Sequence, residues 1–118
     1  MLHEWLEAVR SRSVGRVLNL YTDEAVLVPT LGPTVLQGKA QLAPYFHRFL
    51  AKQNLRGRLD CVVTQRLGPK DQILSGLYTF AWTERGKPHH LRARFTYVIV
   101  ETPKGWRILT HHSSAVPS

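Results

Sequence analysis

The chain has 118 residues, 43 % of them hydrophobic and 20 % charged, which is enough for one buried core, too little for a second module, and far from the makeup of a disordered chain. Its 16 Lys and Arg against 8 Asp and Glu leave a net charge of +8, yet the basic residues are spread from Arg10 to Arg107 without interleaved aromatics, which argues against a specific nucleic-acid partner. No apolar run approaches the roughly 20 residues of a membrane span, the N-terminus lacks a secretory layout, and Cys61 is alone, so the expectation is a single cytoplasmic domain without disulfides, cysteine-bound metal or membrane contact.

In chain order, Leu2, Trp5, Leu6 and Val9 fall at i, i+3, i+4 and i+7, and Val14, Val17, Leu18 and Tyr21 repeat the spacing, so two short amphipathic helices are expected, with Ser13 capping the second. Ala25–Pro29 reads as a short buried strand and Val35–Gln37 as another, separated by turn residues. Leu42, Phe46, Phe49 and Leu50 form a helical stripe within Lys39–Gln53, where Pro44 sits either in the first turns or at a kink. From there the pattern changes to long strands, 58–67, 72–83, 90–100 and 106–114. The short linkers Gly68–Asp71, Glu84–Pro88 and Thr102–Gly105 join antiparallel neighbours into a meander. Helices followed by an antiparallel sheet predict an α+β fold, a cone-shaped roll whose strongly bent sheet is covered on its concave face by the N-terminal helices.

The end of the chain is unusual. His111, His112, Ser113 and Ser114 extend an otherwise apolar strand, and alternation places His111 and Ser113 on one side with Arg107 and Leu109, and Thr110, His112 and Ser114 on the other with Trp106 and Ile108. Histidine exchanges a proton near neutrality and a serine beside it can hold an oxygen-rich ligand, so a polar pocket is expected there. The residues alone leave two readings open: a base or proton relay with its positioning hydroxyls, or a polar core satisfied by its own hydrogen bonds and by water. The six histidines show no spacing that converges three on one ion, so no metal and no cofactor are expected. Asp60 opens a long strand and is a secondary candidate if it faces inward. Asp23 and Glu24 read as loop or cap. Trp5, Phe46, Phe49, Phe80 and Trp82 read as core or cavity wall, and Arg92 and Arg94 as the outer sheet surface.

The element order, the segment Leu20–Thr30, the strand Gly76–Phe80 and the ending Gly105–Pro117 resemble the nuclear transport factor 2-like superfamily, nearly end to end. Within it the chain looks most like the branch that contains the association domain of calcium/calmodulin-dependent protein kinase II and the iota-class carbonic anhydrases, whose ending of three histidines and two serines is matched here from His111, with Thr110 in place of the first histidine. The resemblance implies metal-free, reversible hydration of carbon dioxide in a pocket of Thr30, Tyr45, His111 and Ser113, Thr34 being a rival for Thr30. It also implies Tyr78 and Tyr97, with Ser113, as ligand-binding residues where the kinase domain carries anion-binding arginines. A cavity of hydroxyls suits carbon dioxide, bicarbonate or another small polar molecule better than a strongly bound carboxylate. The alternative implied by the same resemblance is a non-catalytic association or ligand-binding domain, and either way a homodimer or larger homo-oligomer.

Overall fold

A computed structural model describes residues 1–117. Helix α1 (Leu2–Ser11) buries Leu2, Trp5, Ala8 and Val9 along one stripe and stops at Arg12, which takes the left-handed conformation. Helix α2 (Val14–Leu18) begins where the Ser13 hydroxyl accepts the Arg16 N–H at 3.2 Å. The helical spacing that predicts continuation to Tyr21 is overruled by pairing. The Leu20 carbonyl accepts the Ile108 N–H at 2.7 Å, and Tyr21 opens strand β1 (Tyr21–Val28), four residues before the apolar run that marks it in the sequence.

Strand β2 (Leu36–Gln37) and helix α3 (Lys39–Leu50) follow. Pro44 lies within α3, and the helix ends short of Gln53, which instead begins the long edge strand β3 (Gln53–Gly68). Strands β4 (Asp71–Glu84), β5 (Lys87–Thr102) and β6 (Gly105–Ala115) complete a sheet of order β2-β1-β6-β5-β4-β3. The meander β3 to β6 is antiparallel as expected, but β1 runs parallel to β6, because the chain crosses from one end of the sheet to the other through α3.

The unclosed sheet is curled, and its faces are unequal. Leu74, Tyr78 and Phe80 on β4, with Ala93, Phe95, Tyr97 and Ile99 on β5, are buried and join the apolar stripes of α1, α2 and α3 in one continuous core. The residues between them, including Leu77, Thr79, Arg92, Arg94 and Val98, point to the opposite face, where no helix packs. Arg92 and Arg94 are thus exposed on the outer surface, as their alternation with Ala93 and Phe95 predicts.

Several register shifts interrupt the sheet, and two of them bear on the candidate site. On β3 the register slips between Leu59 and Cys61, leaving Asp60 as the extra residue; on β6 Thr110 pairs with Val98 and Ile108 with Ile99, so Leu109 is the extra residue. The second bulge changes the expected parity. Ile108 lies inside with His111, fully buried, whereas Leu109 is 41 % exposed. Arg107 and Leu109 therefore do not share the face of His111, and Trp106 and Ile108 do, the reverse of simple alternation.

Candidate active site

His111 and Ser113 are the buried polar side chains of the described core, 2 % and 6 % exposed. They sit on β6 past the bulge, facing the helices, and the elements around them converge on the imidazole. Tyr21 at the start of β1 brings its hydroxyl to 2.8 Å from Nδ1, and Tyr78 on β4 brings its own to 3.0 Å from Nε2. Tyr97 on β5 lies flat on the ring, with centroids 3.9 Å apart, and Trp5 on α1 meets it edge-on at 5.4 Å while its indole N–H donates to the Tyr21 hydroxyl at 3.0 Å. Tyr78 also donates to Ser113 Oγ at 2.7 Å, and Ser113 in turn contacts the hydroxyl of Thr30 in the turn after β1.

A small cavity opens beside this network, bounded by Thr30, Tyr45, Tyr78, His111 and Ser113 on the polar side and by Trp5, Leu27, Phe46, Phe49 and Phe80 among its apolar walls. Its volume is ≈ 20 Å³, room for about one water molecule. Thr30, rather than the exposed Thr34, reaches it. Of the two tyrosines expected as ligand-binding residues, Tyr78 lines the void, while Tyr97 stands behind His111 with its hydroxyl buried and without a partner. Asp60 is on the outer side of the sheet, away from the cavity. It accepts from Arg58 Nε at 2.8 Å and from the Thr79 hydroxyl at 2.5 Å, which together hold its carboxyl below its usual range. Leu59 beside it pairs with the inward-facing Tyr78, so alternation turns Asp60 to the outer side, and it takes no part in the site.

Two members of the network are not legible from spacing: Tyr21, which the helical pattern assigns to an apolar stripe, and the indole N–H of Trp5. Both are polar-headed aromatics in otherwise apolar positions, which is the one signal the sequence carries. All four tyrosines of the chain end up around His111.

The electrostatics follow from burial. No Asp, Glu, Lys or Arg lines the void. Burial, helped by nearby His112, pushes the His111 pKa down to about 3, so the imidazole is neutral at ordinary pH. Burial pushes Tyr45 up to about 12, opposed in part by the Leu31 N–H donated to its oxygen, and raises Tyr21, Tyr78 and Tyr97 as well. Between those limits no group of the cavity changes charge. The arrangement can hold and orient a small uncharged molecule through hydroxyls, but it holds no base poised near neutrality. Among the described residues no three His, Cys, Asp or Glu side chains are grouped to hold a metal ion, and no helix is long and apolar enough to cross a membrane.

Comparison with known proteins gives this geometry a family. The structure superposes with a TM-score of 0.93 and 31 % identity on a protein from Xanthomonas campestris provisionally described as a calcium/calmodulin dependent protein kinase II association domain, covering 99 % of this chain and 84 % of that one. At 18 % identity and a TM-score of 0.85 it matches a provisionally described dehydratase of the NTF2-like family from Streptomyces avermitilis, covering 99 % and 92 %. A Caulobacter vibrioides protein with a cystatin-like fold matches at 16 % identity and 0.82, covering 98 % and 84 %. The last two share the fold alone. No curated protein matches the chain. The family profile of the calcium/calmodulin dependent protein kinase II association domain covers residues 1–117, and the chain belongs to that family, within the NTF2-like, cystatin-like superfamily.

Proposed function

We propose that the chain is an assembly domain, forming homodimers or larger homo-oligomers through the uncovered face of its sheet, with a small cavity, hydroxyl-lined on one side, that holds one small uncharged molecule. The observation that carries this reading is the one-sided burial of the sheet. Helices cover the inner face, while the outer face of four long strands presents Leu77, Val98 and Thr96 between polar neighbours, with Val63 and Leu109 61 % and 41 % exposed. Such a surface gains from a partner of matching shape. The family match and the description of the Xanthomonas relative support it. An exposed, unpaired Cys61 suits a reducing compartment, so we place the protein in the cytoplasm. Sedimentation velocity of the native protein should give a dimer or larger species, and Val98→Glu, which puts a charge at the centre of the outer face, should shift it to monomer while the far-ultraviolet spectrum is unchanged. A native monomer at 100-fold the concentration of a typical micromolar dissociation constant, about 0.1 mM, would overturn the reading.

A second reading, metal-free hydration of carbon dioxide, is favoured by one specific observation: Thr30, Tyr45, His111 and Ser113 all border the same void. In it the hydroxyls of Thr30, Ser113 and Tyr45 orient water and steady the developing bicarbonate oxygens. As water adds to the carbon, one of its hydrogens returns through the Ser113 and Thr30 hydroxyls to a carbon dioxide oxygen, so the product leaves as carbonic acid and ionises outside, while neutral His111 orients the hydroxyls through Tyr78 and stores no proton. The check is stopped-flow hydration of carbon dioxide by chelator-treated protein. A rate above buffer that falls at least tenfold in Ser113→Ala supports catalysis, and a native rate equal to buffer removes it while leaving the assembly reading intact.

A further inference from the structure

Each polar atom around His111 has a fixed supply of hydrogens, and in a buried site the arrangement that leaves the fewest of them without an acceptor is the stable one. Indole nitrogen is a donor only, so the Trp5 bond ends on the Tyr21 oxygen. The Tyr21 oxygen could accept a second hydrogen, but its own hydrogen would then be stranded in a buried site, so the satisfied arrangement has Tyr21 donating to His111 Nδ1 at 2.8 Å, and that nitrogen carries no proton. A second count starts from the opposite end. Tyr78 gives its hydrogen to Ser113 Oγ at 2.7 Å, so at the 3.0 Å contact with His111 Nε2 its oxygen must accept. Both counts put the one hydrogen of a neutral imidazole on Nε2, and neither depends on the other.

We propose that Trp5 and Tyr21 are positioning residues that lock His111 as the Nε2–H tautomer, and so impose a one-way chain of hydrogen bonds from Trp5 through Tyr21, His111 and Tyr78 to Ser113. The consequence falls at the cavity end. Ser113 and Thr30 share one contact but own two hydroxyl hydrogens, and no other protein acceptor stands within hydrogen-bond distance of either among the described residues. One hydrogen is left over, and the void that both residues line is the space open to it. The cavity therefore meets its contents as a donor, a polarity set about 90 residues away in sequence by the opening helix and the first strand. The tautomer is a property of the resting protein and holds whether the domain is catalytic or not; its failure would leave the assembly reading untouched.

The decisive measurement is the imidazole nitrogen spectrum of ¹⁵N-labelled native protein at pH 7. His111 should show an unprotonated Nδ1 and a protonated Nε2 as a single, non-exchanging species. Removing the Tyr21 donor in Tyr21→Phe, which keeps the ring, should produce a tautomer mixture or the Nδ1–H form, and Trp5→Phe an intermediate loss of the preference. Tyr78→Phe should retain Nε2–H, because Tyr21 still donates to Nδ1. A purely structural role for Tyr21 would leave the tautomer where it is. An Nδ1–H imidazole in the native protein overturns the proposal without any variant, and so does an unchanged tautomer in a folded Tyr21→Phe protein.

Discussion

His111 is a proton acceptor that folding has disabled. In the unfolded chain it titrates near 6.5, and in the folded protein near 3, because the buried site offers hydrogen bonds to the neutral ring and no carboxylate to the charged one. Between those values the unfolded chain binds one more proton than the native state, so the stability this difference confers is complete above pH 6.5 and drains away as pH falls towards 3. At its steepest the loss is about 1.4 kcal/mol per pH unit. Urea denaturation at several pH values should show that slope for the native protein and a shallower one for His111→Gln, which cannot be protonated; parallel curves would mean that the ring takes its proton as readily in the fold as in the unfolded chain. The same environment explains why the hydroxyls matter individually. Tyr21→Phe strands both the Trp5 N–H and His111 Nδ1 in a dry site, a change worth about 1–3 kcal/mol.

At the scale of elements, the two bulges decide which side chains the strands deliver. The bulge at Leu109 places Ile108 in the core and His111 three residues later on the same side, a spacing that a regular strand forbids. The bulge at Asp60 brings the β3 backbone down onto Gly76 of β4. A Cβ at Gly76 would stand 2.0 Å from the Cys61 carbonyl oxygen and 2.9 Å from Phe95. Backbone cannot step aside as a flexible side chain does, so Gly76→Ala should cost about 3 kcal/mol in a denaturant titration. A loss under about 0.5 kcal/mol, the range of an ordinary surface change, would mean that β3 slides along β4 without penalty.

At the scale of the whole molecule, the proposed assembly turns on the outer face of the sheet. A stable interface removes about 800 Å² from each partner, an area that strands of 11 to 16 residues can supply edge to edge across the meander. Arg92 and Arg94 lie on this face together with Asp60, whose carboxylate is met by Thr79, Arg58 and the nearby Arg92 of its own chain. An assembly has a thermodynamic signature that a monomer lacks. Its melting temperature should rise with protein concentration, measured between about 1 and 100 µM, the range that brackets a micromolar association, and the rise should vanish in Val98→Glu. A concentration-independent melting temperature in both proteins would count against assembly through this face.

Much of this is legible in the sequence. Turn-forming linkers bracket β3 to β6 closely enough to identify the meander, and the α+β roll follows from helices placed ahead of it. The terminal His111 and Ser113 announce a polar pocket because two polar groups on an apolar strand must find partners, and Thr30, Tyr45 and Tyr78 come with the family resemblance to line the same void. Local patterns report local forces: periodicity registers which face is buried, and glycine and proline register where the chain turns. What they do not register is pairing between distant strands. The parallel pairing of β1 with β6 converted Tyr21 from a helical residue into a strand residue, and the bulge at Leu109 reversed the parity of Ile108. Each of these is settled by backbone hydrogen bonds between segments far apart in the chain, whose energy exists only once the sheet has formed, and the same is true of the Trp5 to Tyr21 to His111 contacts on which the character of the cavity rests.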